Sequence, residues 1–147
     1  MADTESGRDW TDPTCPVART IDLVGDRWTL LIVRDAMDGP ASFTEFRQRL
    51  GIARNILSDR LRKLVDHGIL STRPSGRRHV YELTGAGKDL FTAIVALRQW
   101  GERHAFADGE SRSRLTDADG RPLADLRPQG QDGAPLTTDT TRVERVI

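Results

Sequence analysis

Apolar residues recur at helical spacing in four consecutive stretches of this chain before the pattern changes. Val17, Ile21 and Val24 share one face of a first helix, whose start is marked by Asp12, Pro13, Thr14, Cys15 and Pro16. Proline suits the first helical position because its missing N–H has no partner there anyway. Trp28, Leu31 and Ile32, widened by Leu30 and Val33, carry a second helix as far as Ala36 and Met37, where Gly39 and Pro40 stop it. Ser42 with Glu45 three positions later forms a capping box that opens a short helix burying Phe43, Phe46 and Leu50. Gly51 turns the chain into a fourth helix, from about Arg54 to His67, with Leu57, Leu61, Leu64 and Val65 on one side and Gly68 as its stop. Two short helices joined by a tight glycine-containing turn make a helix-turn-helix.

After Gly68 the reading becomes extended. Ile69 to Arg73 and His79 to Leu83 are predicted strands of a hairpin, and Pro74, Ser75, Gly76, Arg77 and Arg78 form its tip. Thr84 caps a last long helix in which Leu90, Phe91, Ile94, Val95, Leu97 and Trp100 cover an apolar face broader than a small domain needs on one side. Beyond His104, Gly, Asp, Pro and Thr dominate, so this tail cannot build a core of its own; Asp119-Gly120 and Asp132-Gly133 mark one or two short hairpins. The expected organisation is a flexible arm over 1–14, a domain over 15–104 and an extension over 105–147. The fold class is mainly α with a small β-hairpin, in the order of a winged helix-turn-helix.

Composition adds a segregation of charge. The 147 residues carry 22 basic and 22 acidic side chains, yet residues 1–26 hold six acids and two bases (net −4) while 42–81 hold nine bases and three acids (net +6). The helix-turn-helix and hairpin are therefore where a polyanion could be held, and 20 of the 22 bases are Arg, which suits phosphate forks. No apolar run is long enough to span a bilayer and the start of the chain has no secretory pattern, so a cytoplasmic location is expected. The single cysteine, Cys15, excludes a disulfide or a cysteine-based zinc cage within one chain.

If Leu57, Leu61 and Leu64 face inward, the 100° step of a helix turns Asn55, Asp59, Arg62 and Lys63 outward. Arg54, Asn55 and Ser58 then occupy the first turns, the part of a recognition helix that approaches base edges, with Arg62 and Lys63 further along to meet phosphate. Asp59 is an awkward neighbour for DNA that Arg62 and Lys63 can neutralise. Arg73 of the hairpin is a further DNA-binding candidate, and Arg77 and Arg78 at its tip suit a narrow minor groove. The histidines, His67, His79 and His104, are scattered, and the chain carries no phosphate loop and no nucleophile with an evident base, so no enzyme is expected. His67 and His104 read as helix C-terminal residues favoured by the dipole. The competing function is a winged-helix module that binds protein instead of DNA.

Cys15-Pro16-Val17, Asp22, Gly25 and Arg27-Trp28-Thr29-Leu30-Leu31-Ile32, with Phe43-Thr44-Glu45-Phe46 and Gly51-Ile52, resemble the opening of HxlR-type winged helix-turn-helix transcriptional regulators. Leu57-Ser58-Asp59-Arg60-Leu61, Leu64, Gly68, Tyr81-Glu82-Leu83-Thr84 and Gly87 continue the likeness, which covers about residues 15 to 104. The resemblance implies a bacterial DNA-binding homodimer, mostly a repressor, joined through its first and last helices, bound to a palindromic operator and answering to oxidants, electrophiles or small molecules. Cys15 matches the position of the family's redox-sensing thiol; a helix N-terminus favours its thiolate, and the nearby Asp12, Asp22 and Asp26 oppose it. An alternative effector, a small organic molecule, would sit near Trp28, Phe91 and Trp100. Two departures stand out: Ala53 replaces the serine that relatives often place before the recognition helix, and the hairpin is short. The tail resembles an extension that bears cysteine knuckles in some relatives. It has no cysteine here, so neither zinc nor another cofactor is expected.

Overall fold

The helices follow the apolar spacing, and several begin where a side chain satisfies their free amides. The computed structural model describes residues 8–146. Helix α1 (Pro16–Val24) has Cys15 as its N-cap, the sulfur accepting from the Ala18 amide at 3.4 Å. Helix α2 (Arg27–Ala36) is capped by Asp26, whose Oδ1 accepts from the amides of Trp28 and Thr29 at 3.0 and 3.1 Å. A two-residue strand β1 (Ala41–Ser42) leads into α3 (Phe43–Leu50), where the expected capping box is present: Glu45 N–H donates to Ser42 Oγ and Ser42 N–H to Glu45 Oε1, both at 3.2 Å. Gly51, at φ 64°, ends that helix in the left-handed region, and α4 (Arg54–Asp66) follows.

Strands β2 (Leu70–Ser75) and β3 (Arg78–Leu83) pair antiparallel from Leu70 opposite Leu83 to Ser75 opposite Arg78, and β1 joins the far side of β3. The wing is therefore tighter than the sequence suggests. Its turn is Gly76-Arg77 alone, with glycine first at φ 62°, and both Pro74 and Arg78 lie within strands. Pro74 is tolerated because β2 is an edge strand, where one missing N–H need not break a ladder. The third strand, β1, was not anticipated; two residues are too few for any alternation to register.

The core forms where α2, α3, α4 and the sheet meet. Ile32, Val33, Phe46, Leu57, Leu61, Leu64 and Leu70 are fully buried. At about 2 kcal/mol for each buried large aliphatic side chain, this cluster outweighs any single surface pair in the domain. His67 closes α4 as its C-cap; burial, followed by the Arg8 charge, lowers its pKa, and its Nδ1 has no partner among the described residues.

The expected last helix is broken in two. Thr84 caps only α5 (Gly85–Lys88), accepting from Gly87 N–H at 3.1 Å while its hydroxyl reaches the Gly68 carbonyl at 2.6 Å. A turn at Asp89-Leu90 separates it from α6 (Phe91–His104). The short helix is pressed onto the start of the hairpin so closely that a Cβ on Gly87 would overlap the Ile69 carbonyl oxygen. Of the expected N-terminal arm, residues 1–7 lie outside the described residues. Residues 8–14 are tied to α1: Thr11 donates to Asp22 from its amide and hydroxyl at 2.9 and 2.8 Å, and Arg8 and Arg19 lie over the Trp10 ring.

Packing divides the chain into one unit reaching to Phe91 and a second beginning at Thr92, so most of α6 groups with the extension. Within the second unit, Gln99 clamps the tail by donating to the Ala124 carbonyl at 3.0 Å and accepting from Leu126 N–H at 2.7 Å. Arg98 donates to Ser113 Oγ at 3.0 Å. The two Asp-Gly dipeptides sit in matching knuckles, Asp119-Gly120-Arg121-Pro122-Leu123 and Asp132-Gly133-Ala134-Pro135-Leu136, closed by single bridges Thr116–Pro122 and Gln129–Pro135. Both glycines have φ 82°.

The contact beneath Gly87 gives a direct test of the fold. Gly87→Ala should destabilise the protein by roughly 1–3 kcal/mol, the usual cost of overpacking, because the obstructing atom is backbone and cannot rotate away. Urea unfolding monitored by circular dichroism would measure it. Gly85→Ala, where a Cβ meets nothing within 4 Å, should be neutral or mildly stabilising.

Candidate nucleic-acid interface

With Leu57, Leu61 and Leu64 inward, α4 presents Arg54, Asn55, Ser58, Arg62 and Lys63 to solvent. These are the residues predicted for that face. Its first turn is uncapped by any side chain, since Ala53 occupies the N-cap. The free amides there and the positive end of the helix dipole are open to an anion. Arg54 is not extended into solvent; its guanidinium lies over the Phe43 ring, 5.5 Å from the centroid. Together with Thr44, Arg47, Gln48, Gly51 and Ile52 it lines an open groove of about 400 Å³ between α3 and α4.

Thr44, Arg47 and Gln48 are the residues that sequence reasoning missed. They lie on the exposed side of α3, the helix that crosses the backbone when a helix-turn-helix docks on DNA. The signal was available: Arg47 lies one residue past the buried Phe46, on a helix whose apolar face had been identified.

Most cations of the basic segment are already paired. Asp59 Oδ1 accepts from Arg62 Nη2 at 2.7 Å, and Oδ2 takes Arg60 Nη1 at 2.7 Å and Lys63 Nζ at 3.1 Å. Hydrogen bonding from Lys63 leads the effects that hold the Asp59 carboxyl below its usual range, against some desolvation, with Arg60 and Arg62 adding to it. Arg60 also donates from Nε to Asp26 Oδ1 at 3.1 Å, which links the recognition helix to the cap of α2. In the wing, Arg73 pairs with Glu82 at 3.0 Å and Arg78 with Glu45 of α3 at 3.5 Å. Arg49 bridges Asp35 and Glu45. Among the described residues, Arg47, Arg54 and Arg77 of this segment meet no carboxylate within ion-pair distance.

The wing tip therefore differs from expectation. Arg77 alone stands at the turn, whereas Arg78 is a strand residue directed to α3, where it braces the hairpin against the helix-turn-helix.

The candidate effector residues are Trp28, Phe91 and Trp100. Trp28 has Arg27 over its ring at 4.6 Å. Phe91 lines an open cavity of about 650 Å³ with Ala36, Met37, Pro40, Leu83 and Lys88, and Trp28 is not part of it. Trp100 belongs to the second unit and lies against the His104 ring, with centroids 4.9 Å apart. Cys15 is a free, half-buried thiol serving as the α1 cap. Of the nearby acids, Asp12 accepts from Thr14, Asp22 from Thr11, and Asp26 from the α2 amides and Arg60. Among the described residues, no group of three His, Cys, Asp or Glu side chains could hold a metal ion. No helix of these residues is long and apolar enough to cross a membrane.

Three helices ending in an exposed polar helix, flanked by a two-stranded wing and a third short strand, define a winged helix-turn-helix protein. The chain belongs to the HxlR-like helix-turn-helix family, whose model matches residues 23–108. It is 50% identical over 91 residues to the HTH-type transcriptional regulator Rv3095 of Mycobacterium tuberculosis (strain ATCC 25618 / H37Rv), a match covering 60% of this chain and 58% of that protein. The chain thus spans less than two thirds of that relative's length. Among solved structures, it is similar to PA1607, a candidate transcription factor, with a TM-score of 0.87 and 48% identity over 92% of this chain and 97% of that one. It also resembles the redox regulator HypR in its oxidised form, with a TM-score of 0.58 and 29% identity over 63% of this chain and all of that one (100%). The likeness to PA1607 reaches well beyond residue 108, so the extension is included in it.

Asp26 joins the cap of α2 to the recognition helix and should show in the acid limb of stability. Burial pushes its carboxyl up, but hydrogen bonds from Thr29 and then Arg60 outweigh this and leave the pKa lowered. A carboxylate depressed by folding stabilises above its unfolded pKa, about 3.9, and the contribution disappears as pH falls through the folded value. Asp26→Ala should therefore cost about 1 kcal/mol at neutral pH, the usual worth of a cap, and the difference from wild type should shrink below about pH 4. Paired urea titrations at pH 7 and pH 3 would check both halves.

Proposed function

We propose that this protein is a sequence-specific DNA-binding transcriptional regulator, acting as a homodimeric repressor on a palindromic operator. The observation that carries the reading is the set of unpaired cations, Arg47 on α3, Arg54 at the start of α4 and Arg77 at the wing tip, around a recognition helix whose polar face is open. Surface arginines normally find a carboxylate when one is near. Among the described residues these three meet no carboxylate, in a segment where Arg49, Arg60, Arg62, Arg73 and Arg78 do.

In this reading Asn55 and Ser58 meet base edges, and Arg54 and Arg47 hold the phosphates flanking the groove. Arg62 and Lys63 exchange Asp59 for phosphate, and Arg77 enters the minor groove while Arg73 and Arg78 support the wing. Dimerisation is supported by apolar side chains left open on both helices that the family resemblance singles out: Val17 and Ile21 on α1 are 66% and 58% exposed, and Leu97 and Trp100 on α6 are 54% and 59% exposed. A two-fold axis then places two copies of α4 on matching half-sites. Cys15 serves as the oxidant-sensitive thiol, a reading supported by the likeness to HypR and by its place at the cap of a proposed dimer helix.

Fragments selected from genomic DNA by the purified protein would supply an operator, and fluorescence anisotropy would measure its affinity. Binding should weaken steeply with salt, and Arg47→Ala, Arg54→Ala and Arg77→Ala should each reduce the log–log salt slope by about two, one for each subunit. Affinity indifferent to salt would favour the protein-interaction module instead. Under hydrogen peroxide the wild type should change its operator affinity, and Cys15→Ser, which preserves a cap, should not; an identical response in both proteins removes the cysteine from the switch.

A further inference from the structure

Asp59 is the one carboxylate on the solvent face of the recognition helix between Asn55 and Lys63, and it takes three cations at once. The ordinary reason for such an acid, an i to i+4 pair stabilising a surface helix, accounts for Lys63 or Arg62 but not for the whole arrangement. Arg60 grips Asp59 through Nη1 and Asp26 through Nε, so the carboxylate is fixed from the side of α2 while its remaining partners, Arg62 and Lys63, are exposed and free to leave.

Consider this group facing a duplex. When Arg62 and Lys63 turn to phosphate, the oxygens of Asp59 lose two of three donors. Phosphates repel it, and the guanine O6 and N7 and thymine O4 are acceptors like itself. The only major-groove base groups that can satisfy it are the exocyclic amines, N4 of cytosine and N6 of adenine, and adenine sets an acceptor, N7, beside its amine. Resting on the DNA-binding reading above, we propose that Asp59 is a specificity-determining residue, selecting cytosine at one position under each copy of α4 and penalising every other register on DNA, with Arg60 as the positioning residue that aims it. The unpaired Arg47, Arg54 and Arg77 then supply affinity for any duplex, and Asp59 withholds Arg62 and Lys63 from sequences that leave its oxygens unsatisfied.

The experiment compares wild type with Asp59→Asn, which keeps the shape, removes the charge and can donate as well as accept. Anisotropy is read with an operator selected from genomic DNA, with its complete set of single-base substitutions, and with a random duplex of the same length at 0.15 M salt. For Asp59→Asn, affinity for the random duplex should rise about thirtyfold, the effect of one additional phosphate neutralised by each copy at that salt. Preference should relax at a single position per half-site, a cytosine in the wild-type profile, and stay unchanged elsewhere. Arg60→Lys should blunt the same position without altering the others. A parallel rise for operator and random duplex with the base profile intact would overturn the proposal, as would no change in either. Asp59→Ala, with thermal midpoints for all variants, guards against misfolding: relaxation at the same position in both substitutions supports the assignment, and relaxation in neither overturns it. Wild-type protein that retains no genomic fragment would bring down the DNA-binding reading itself, a result distinct from operator binding with an unaltered profile.

Discussion

The arrangement depends on three leucines. Leu57, Leu61 and Leu64 are buried to within 1% of their surface against α2, α3 and the start of β2, and a helix anchored along that line has no rotational freedom left. Turning α4 by one residue would expose about 2 kcal/mol of apolar surface per leucine and drive Asn55 or Arg62 into a core with no partner for either. The orientation of the polar face is therefore a by-product of burial. It follows that substitutions on that face can vary base contacts at little cost to the fold, whereas a core substitution would disturb the geometry of every contact together.

Charge acts on this frame in a way that net values conceal. The +6 balance of residues 42–81 suggests a broad positive field, but carboxylates inside and outside the segment neutralise most of it locally: Asp59, Glu45, Glu82, Asp35 and Asp26 together hold six of its nine bases. What remains uncommitted is confined to α3, the start of α4 and the wing tip. Exposed pairs of this kind contribute little stability, so their more telling property is that they are exchangeable, and a phosphate can take a cation from a carboxylate without breaking the fold.

Much of this was legible in the sequence because it rests on short-range rules. Helical spacing placed Leu57, Leu61 and Leu64, the Ser42–Glu45 box fixed the start of α3, and Gly51 and Gly68 ended two helices at the positions expected. What escaped depends on partners distant in sequence. Strand β1 exists only because β3 offers it a free edge, and Arg78 looked like a tip residue because nothing local reveals Glu45 across the domain. The break between α5 and α6 follows from the contact of Gly87 with the Ile69 carbonyl, which no periodicity announces. Residues 8–14 had no apolar spacing to mark them, and they are held instead by Thr11 on Asp22 and by arginines over Trp10.

The Asp26–Arg60–Asp59 chain extends this point from fold to function. Asp26 is at once the cap of α2, through two backbone amides and the Thr29 hydroxyl, and the outer anchor of Arg60. A displacement at the α1–α2 junction that altered the cap would change the grip on Arg60, and through it the carboxylate that, in the proposed reading, competes with DNA for Arg62 and Lys63. No rearrangement of the buried leucines is needed for such coupling, because the links are exposed or part-buried hydrogen bonds of modest worth. The backbone passes closely at Gly25: a Cβ there would lie 2.6 Å from the Ile21 carbonyl oxygen, so the connection between α1 and α2 tolerates little beyond glycine in this geometry. A close joint followed by exchangeable bonds would, in the proposed reading, carry a change at the Cys15 end of α1 to the face proposed to read DNA.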